Sequence, residues 1–335
     1  MLKWFKRSVL GFVLLAALAG GYVAFNWTAL KVQSTGRDFR EATAEEERVR
    51  LAGELLAAGE PATPYLLEPF QADEAQACEA VAEAMAKYLG ELTPTDPRHL
   101  LWCRAVLAGY AAFSEVGKAA AVELVPELLR SAEPTAKGRG REMVTAGLNA
   151  NNPEARVRSI RLAMRPDINA KEAIVPQLDA PQPEVRRAAM LAVGPDAEGL
   201  PVIGDEELFR YLHDDDAEVR DLCASALSSR GLDTIQIVLA KQLTDPNPAE
   251  RLKLLTDLKY RGDAIKDPGP WLERLSRDAD PAVRLGAARV AVESRLEYVA
   301  WIDRLGDRDP DPTVRRWAKY YRTQAAGVKQ AELKR

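Results

Sequence analysis

One short phrase, a proline followed three residues later by an arginine, recurs six times between residues 149 and 322. The third copy has alanine in place of proline, and the arginines are separated by 30, 34, 31, 33 and 31 residues. They are Arg156, Arg186, Arg220, Arg251, Arg284 and Arg315. A period of about 20 to 50 residues is typical of a solenoid, because one unit cannot bury its apolar face alone. The repeat therefore predicts a stack of similar units that share a continuous core.

Each phrase also predicts the start of a helix. The residue before the proline position has a short polar side chain in five of the six copies, and such side chains cap free amides at a helix N-terminus. Proline suits the first helical position, where its missing N–H group is not needed. The six preceding residues are Asn152, Gln182, Asp216, Asn247, Asp280 and Asp311.

The residues around each arginine predict which side of the helix is buried. Valine precedes the arginine in four copies, and a small or apolar residue follows the arginine three positions later in five, so the two lie one turn apart on one face. A second apolar segment occurs within the units, for example at residues 233–243 and 271–275. We therefore expect each unit to be a helical hairpin.

Four units have an aspartate three residues before the proline position, at Asp214, Asp245, Asp278 and Asp309. This pattern of Asp, Pro-x-Val-Arg and Ala resembles the HEAT-repeat family, particularly the short bacterial repeats first noticed in phycobilin lyases. The resemblance implies an all-α, right-handed solenoid of hairpins, in which the four aspartates and six arginines form a structural ladder without a catalytic role. The sequence departs from the pattern at Ala217 and Glu250, and Arg158 competes with Arg156 for the register of the first unit.

The N-terminus predicts one transmembrane helix before the solenoid. Residues 8–30 carry no charge and follow Lys3, Lys6 and Arg7, and about 20 apolar residues span a bilayer. A cleaved signal with a small-x-small site at residues 17–19 is the alternative, and we favour an uncleaved anchor. The basic flank favours a cytoplasmic N-terminus, which would place the repeats of a single-pass protein on the extracytoplasmic, periplasmic side of the cell membrane. The opposite orientation stays open.

The chain divides into seven segments in this interpretation. They are a basic flank at 1–7, the anchor or signal at 8–30, a stalk at 31–43, an N-terminal helical region at 44–131, a loop or hinge at 132–141, six repeats at 142–322 and a basic tail at 323–335. The N-terminal region is either a set of degenerate repeats, which we favour, or a separate subdomain. It begins with a predicted amphipathic helix at 44–58, and further helices are predicted at 64–70, 73–91, 97–114 and 117–131.

The charge of the chain argues against nucleic acid as a partner. The net charge is −4, and the first 30 residues contribute +3, so the remainder carries −7. The segment 315–322 is a basic exception that also holds a tryptophan and two tyrosines. It is either a solvated capping helix or a docking patch for an acidic partner or lipid headgroups.

The sequence contains no pattern that predicts catalysis or a cofactor. Its two histidines, His99 and His213, have no second ligand at a metal-binding spacing, and no cysteine has a histidine in a helpful context. The acidic run at residues 214–216 falls where the other units have their turn. We therefore expect no enzyme, no metal site and no cofactor.

Aromatic and arginine side chains on the second helices are candidates for partner binding, because such residues anchor protein interfaces. The residues that we select are Arg210, Trp271, Arg274 and Trp301. The expected function is a non-catalytic, membrane-anchored scaffold that binds a protein partner or a membrane or envelope complex. Two alternatives are a bilin-lyase-like protein that handles a chromophore and a module that binds envelope or cell-wall glycans.

Overall fold

The computed structural model describes residues 27–193, 202–260, 267–294 and 300–332, with side chains through residue 324. Every regular element in these ranges is an α-helix or a 3-10 helix, which agrees with the all-α class. The chain forms two compact units, residues 1–192 and residues 193–335.

The first unit contains α1 to α10 and four 3-10 helices. The α-helices are α1 (27–41), α2 (Glu45–Ala58), α3 (Thr63–Ala72), α4 (Ala75–Gly90), α5 (Pro97–Gly109), α6 (Glu115–Ala121), α7 (Val125–Arg130), α8 (Ala136–Leu148), α9 (Pro153–Ala163) and α10 (Pro183–Val193). The 3-10 helices are Glu60–Ala62, Tyr110–Ala112, Val122–Leu124 and Lys171–Asp179.

The second unit contains the remaining helices. They are α11 (Asp205–Leu208), the 3-10 helix Phe209–His213, α12 (Ala217–Ser229), α13 (Thr234–Leu243), α14 (Pro248–Tyr260), α15 (Gly269–Leu275), α16 (Pro281–Glu293), α17 (Ala300–Arg308) and α18 (Pro312–Glu332).

The expected fold class has to be corrected at the N-terminus. No helix among the described residues is long and apolar enough to span a bilayer. Most of the predicted span 8–30 lies outside the described residues, and its last four positions begin α1. That helix carries five charged residues and packs its apolar side, including Val32 and Phe39, into the first unit. The prediction of a single-pass membrane protein is therefore not supported.

The structure also differs from the predicted stalk and hinge. The segment 31–43 is helical through residue 41, and Gly36 gives the ring of Tyr65 room to approach α1. The hinge predicted at 132–141 becomes helical at Ala136, where α8 starts. Gly140 lies inside α8 and packs against Val125 and Leu128 of α7, so tertiary packing overrides the low helix propensity of glycine.

The core of the first unit is built around large apolar side chains that are fully buried. Phe70 of α3 stacks on Phe113 with ring centroids 4.9 Å apart, and Trp102 of α5 donates its indole N–H to the carbonyl of Leu56 at 3.3 Å. Gly117 of α6 lies directly against the backbone of Phe70. The absence of a side chain at position 117 therefore sets the close approach of α6 to α3.

Each of the six phrases begins a helix, as predicted. These helices are α9, α10, α12, α14, α16 and α18. The cap is formed by a side chain where the sequence provides a short polar one. Asp280 accepts hydrogen bonds from the amides of Ala282 and Val283, and Asp311 accepts them from the amides of Thr313 and Val314. Local chemistry thus decides where the first helix of each repeat starts.

The repeats of the second unit pack in sequence order. The first helices α14, α16 and α18 lie side by side, and each packs against the helix that precedes it, namely α13, α15 and α17. The predicted hairpin paired each first helix with the second helix that follows it, so the order of the two helices within the hairpin has to be corrected: a short turn joins the preceding helix to the helix that starts at the phrase. The valine before the repeated arginine and the residue three positions after the arginine are buried, as the periodicity predicts. This arrangement of the second unit is compatible with an α-solenoid.

Candidate binding surface

The repeated arginine closes the turn that precedes its own helix. In Arg284, Nη1 donates to the carbonyl oxygens of Asp278 at 2.8 Å and Ala279 at 2.9 Å, which lie six and five positions earlier. The same pair of bonds is made by Arg186, Arg220, Arg251 and Arg315. One guanidinium thus satisfies two carbonyl groups of a tight turn.

Arg251 and Arg284 also bind the aspartate of the following repeat. Nε and Nη2 of Arg251 donate to the carboxylate of Asp278 at 2.7 and 2.8 Å, and those of Arg284 donate to Asp309 at 2.8 Å each. The Arg284 side chain is 10% exposed and the Asp309 side chain 2%. Such two-pronged pairs are the strong form of the ion pair, so they bind one repeat to the next.

The aspartates of the ladder also shape their own turns. Asp309 accepts a hydrogen bond from the amide of Asp311 at 2.9 Å. Burial acts to raise the pKa of Asp309, but the hydrogen bonds from Arg284 and from this amide outweigh burial and hold the pKa below its ordinary value. The Asp309 carboxylate is therefore ionised at neutral pH, and its charge is balanced by Arg284.

Asp214 and Asp245 make the same local bond in earlier turns. Asp214 accepts a hydrogen bond from the amide of Asp216, and Asp245 accepts one from the amide of Asn247, each at 2.8 Å. The acidic run at residues 214–216 thus includes the turn aspartate and the helix cap. In the described part of the chain, no three histidine, cysteine or acidic side chains come together in a way that could hold a metal ion.

In the first repeat, Arg156 occupies the ladder position and Arg158 does not. Arg156 donates to the side-chain oxygens of Gln177, at 2.5 and 2.9 Å, and of Gln182 at 3.2 Å. Arg158 instead pairs with three glutamates: Glu79, Glu123 and Glu154. Glutamine amides replace the aspartate carboxylate here, which resolves the ambiguous register of this unit.

Two of the four residues selected for partner binding make contacts within the second unit. Trp271 is half-buried, and its ring stacks on that of Phe209 with centroids 6.2 Å apart. The guanidinium of Arg274 lies 5.5 Å above the Phe209 ring and pairs with the carboxylate of Glu206 at 2.5 Å. These side chains connect α15 to α11 and the 3-10 helix that follows it.

The other two residues selected for partner binding differ in exposure. Arg210 is exposed, and its guanidinium lies over the ring of Tyr211 at 4.7 Å. Trp301 is buried in the core as part of α17. The four selected residues therefore do not form one continuous surface for a partner.

The structure also contains a Cys–His–Glu arrangement that was not predicted from the sequence. In α5, Sγ of Cys103 lies 3.5 Å from Nδ1 of His99, and Nε2 of His99 lies 3.5 Å from a carboxylate oxygen of Glu127. The four-residue spacing of His99 and Cys103, one helical turn, was the available signal. The histidine and the cysteine are fully buried, and burial raises the pKa of Cys103 to about 11. The thiol therefore stays protonated and closed to a substrate.

The buried histidine predicts a pH-dependent stability. Burial lowers the pKa of His99 below its ordinary value, and the charge of Arg130 acts in the same direction although Glu127 opposes it. In the unfolded chain a histidine has a pKa of about 6.5. The stability that His99 contributes is therefore complete above about pH 6.5 and is lost as the pH falls toward the lower pKa of the folded state.

Urea unfolding between pH 5 and pH 7.5 measures this effect, and we expect His99→Gln to flatten the slope of unfolding free energy against pH. His213→Gln is the matched control, since it removes the other histidine of the chain. An unchanged slope in the His99 variant would refute the assignment.

One surface of the second unit combines exposed aromatic rings with cationic side chains. We call it the aromatic–basic face, and it consists of Lys259, Tyr260, Arg289, Trp317, Tyr320 and Tyr321. These residues belong to α14, α16 and α18, the first helices of the last three repeats. The helices pack in the order α14, α16 and α18. Lys259 and Arg289 both pair with Glu293 of α16, and Tyr321 of α18 lies close enough to Arg289 and Glu293 for their charges to act on its pKa.

A carboxylate lies at the centre of the aromatic–basic face. Glu293 of α16 accepts a hydrogen bond from Nε of Arg289 at 2.8 Å, and its other oxygen lies 2.8 Å from Nζ of Lys259 on α14. The Lys259 ammonium also lies 5.0 Å from the centre of the Tyr260 ring. The hydrogen bonds from Lys259 and Arg289 hold the pKa of Glu293 below its ordinary value. The centre of the face therefore binds an ionised carboxylate.

The aromatic rings of α18 form a contiguous cluster. The centroid of the Trp317 ring lies 5.5 Å from that of Tyr320 and 6.0 Å from that of Tyr321, and the two tyrosine rings lie 5.7 Å apart. Trp317 is 41% exposed, Tyr320 49% and Tyr260, on the neighbouring edge, 73%. Large aromatic side chains that remain in solvent together mark an interaction site more often than isolated ones do.

The sequence signal for the aromatic–basic face was the register of the repeats. Arg289 and Tyr320 lie five residues after their repeated arginines, and Tyr260 and Glu293 lie nine residues after theirs. Positions five and nine are one helical turn apart, so in stacked repeats they fall on the same side. A docking patch was one of the two interpretations of the basic and aromatic residues of α18, whereas the part of the face on α14 and α16 was missed.

Comparison of the chain with protein-family models gives no match, and comparison with curated proteins gives none either.

Proposed function

We propose that the chain is a non-catalytic scaffold that binds a protein partner through the aromatic–basic face. The observation that carries this proposal is the cluster of Trp317, Tyr320 and Tyr321, in which the first two rings are exposed and the half-buried Tyr321 lies near Arg289 of the neighbouring helix. Tryptophan, tyrosine and arginine are the residues that contribute most of the binding energy in protein interfaces. Repeat arrays use such extended lateral surfaces for binding.

The packing of the repeats supports this proposal, because it holds the aromatic–basic face in a fixed arrangement. The ion pairs of Arg251 with Asp278 and of Arg284 with Asp309 hold α14, α16 and α18 in register. The face is built from side chains on these three helices, so it is fixed before a partner arrives. A surface that is already ordered loses less conformational entropy when it binds. The proposal includes no reaction, and the buried, protonated Cys103 thiol is not available as a nucleophile.

Site-specific photo-crosslinking tests the proposal. We would place p-benzoylphenylalanine at position 320 in the full chain and, as a control, at position 235, because Tyr320 is 49% exposed and Ile235 on α13 is 47% exposed. Irradiation in the native cells should give one stoichiometric protein adduct from position 320 and none from position 235. The same adducts from both positions, or no adduct from position 320, would contradict the proposal.

A further inference from the structure

We propose that the partner presents an acidic peptide segment and that Glu293 occupies the place of one partner carboxylate in the free protein. This inference rests on the proposed function and specifies the chemistry of the partner. Its starting point is the carboxylate of Glu293, which bridges Lys259 of α14 and Arg289 of α16. The bridge shows that the centre of the face accommodates a carboxylate between two cations.

The bridging carboxylate is partly exposed to solvent. The side chains of Lys259 and Glu293 are 31% and 33% exposed, and that of Arg289 is 60% exposed. Exposed ion pairs contribute little to stability because water competes with both partners. A carboxylate from a bound peptide can therefore replace Glu293 at a small cost in free energy, and Lys259 and Arg289 would then pair with the peptide carboxylate.

The surrounding charge favours an acidic partner. The described side chains of α18 include four cationic residues and no acidic residue, although the whole chain has a net charge of −4. Of these cations, Arg315 binds two backbone carbonyls and Arg322 lies 3.5 Å from Asp303 of α17, whereas Arg316 and Lys319 are exposed. A positive region on a negative molecule attracts an acidic segment and orients it during the encounter.

The aromatic rings favour a peptide over a lipid surface. Trp317, Tyr320 and Tyr321 contact one another, and the Tyr321 ring is half-buried, so only part of each ring remains free to contact a partner. Insertion into a bilayer needs apolar area that projects from the protein. Rings held against each other instead provide fixed surfaces on which a peptide can pack.

Binding of fluorescein-labelled hexaglutamate to the full chain, followed by fluorescence anisotropy at about 50 mM salt, tests this inference. Glu293→Gln keeps the size of the side chain and removes the competing charge, so we expect hexaglutamate to bind about fivefold more tightly. Lys259→Gln should weaken binding by about the same factor, because it removes one of the two cations.

Glu273→Gln is the matched control. Glu273 accepts a hydrogen bond from Arg277 four residues later, at 2.6 Å, so this variant has the same change in charge and also breaks an ion pair of the i, i+4 type. It lies on α15, outside the aromatic–basic face, and should leave the affinity unchanged. If Glu293→Gln and Glu273→Gln tightened the binding of hexaglutamate equally, the effect would be one of net charge, and the inference would be overturned.

Two further results would also overturn it. One is the absence of hexaglutamate binding to the Glu293→Gln variant, and the other is binding of phosphatidylserine vesicles without binding of hexaglutamate, which would assign the face to a membrane. The crosslink from position 320 separates this failure from failure of the proposed function. If position 320 gave a stoichiometric adduct but hexaglutamate did not bind, the scaffold function would be supported and only the acidic chemistry of the partner would be rejected.

Discussion

Replacement of Arg284 by alanine is expected to lower the free energy of unfolding by about 3–5 kcal/mol. The variant loses both hydrogen bonds to Asp309 and the two bonds to the carbonyls of Asp278 and Ala279. The larger part of the loss comes from Asp309, whose carboxylate is 2% exposed and would remain buried with its charge unbalanced. Urea unfolding at pH 7, followed by circular dichroism, gives the value.

Arg220→Ala is the comparison that isolates the ion pair. Arg220 donates to the carbonyls of Asp214 and Asp215 at 2.6 and 3.1 Å but, among the described residues, has no two-pronged pair with an aspartate. We expect its loss to cost about 1–2 kcal/mol. Equal losses for the Arg220 and Arg284 variants would show that the turn bonds carry the effect and that the pair with Asp309 does not.

Acid should reduce the difference between the wild-type chain and the Arg284 variant. The pKa of Asp309 is lowered in the folded state, so the stability from its pair with Arg284 is present above the unfolded pKa of about 3.9 and is lost as the pH falls through the lower folded value. Asp309→Asn added to Arg284→Ala should recover part of the loss at pH 7. The amide keeps an acceptor for the amide of Asp311 and removes the unbalanced charge.

Gly117→Ala should be the second most damaging of these substitutions, with a loss of about 3 kcal/mol. A Cβ atom at this position would lie 2.0 Å from the carbonyl oxygen of Phe70 and less than 3 Å from two other backbone atoms of that residue. A backbone group cannot move aside as a flexible side chain does, so α6 would have to separate from α3. The separation would also disturb the stacked rings of Phe70 and Phe113.

Gly53→Ala provides the control for the glycine prediction. Gly53 lies inside α2, and a Cβ atom there would meet no atom within 4 Å. The substitution should raise the free energy of unfolding by about 0.5–1 kcal/mol, because alanine has the higher helix propensity. Thermal unfolding that leaves the Gly117 variant as stable as the Gly53 variant would be incompatible with the close contact between α6 and α3.

Much of the helical content could be predicted because its signals are local. The phrase combines a short polar cap in five copies, a first-turn proline in five and a buried valine in four, and each of the six copies begins a helix. The helix predicted at 73–91 is observed as α4 at Ala75–Gly90. Apolar periodicity was sufficient there, since α4 buries a continuous stripe that includes Val81 and Met85.

Other features depend on partners that are distant in sequence. The glycine-rich start of α8 has the composition of a loop, and it is helical because α7 packs against it. Trp301 reads as an exposed anchor, although its side chain is buried. The aromatic–basic face requires residues 259–260, 289 and 317–321 to meet, which only the stacking of three repeats brings about. Local patterns therefore located helices better than they located surfaces.

The ladder has a consequence for how the length of such a chain can change. Arg251 and Arg284 each reach forward to an aspartate of the next unit, Asp278 or Asp309, while each of those aspartates receives an arginine from behind. If the segment between two equivalent positions is removed, the arginine of one unit can still pair with the aspartate of the unit that then follows it. If half a unit is removed, an arginine or an aspartate of the ladder loses its partner and its charge remains buried. We therefore expect this array to tolerate the insertion or deletion of whole repeats better than that of partial ones, because only whole repeats preserve the pairing of each arginine with the aspartate of the next unit.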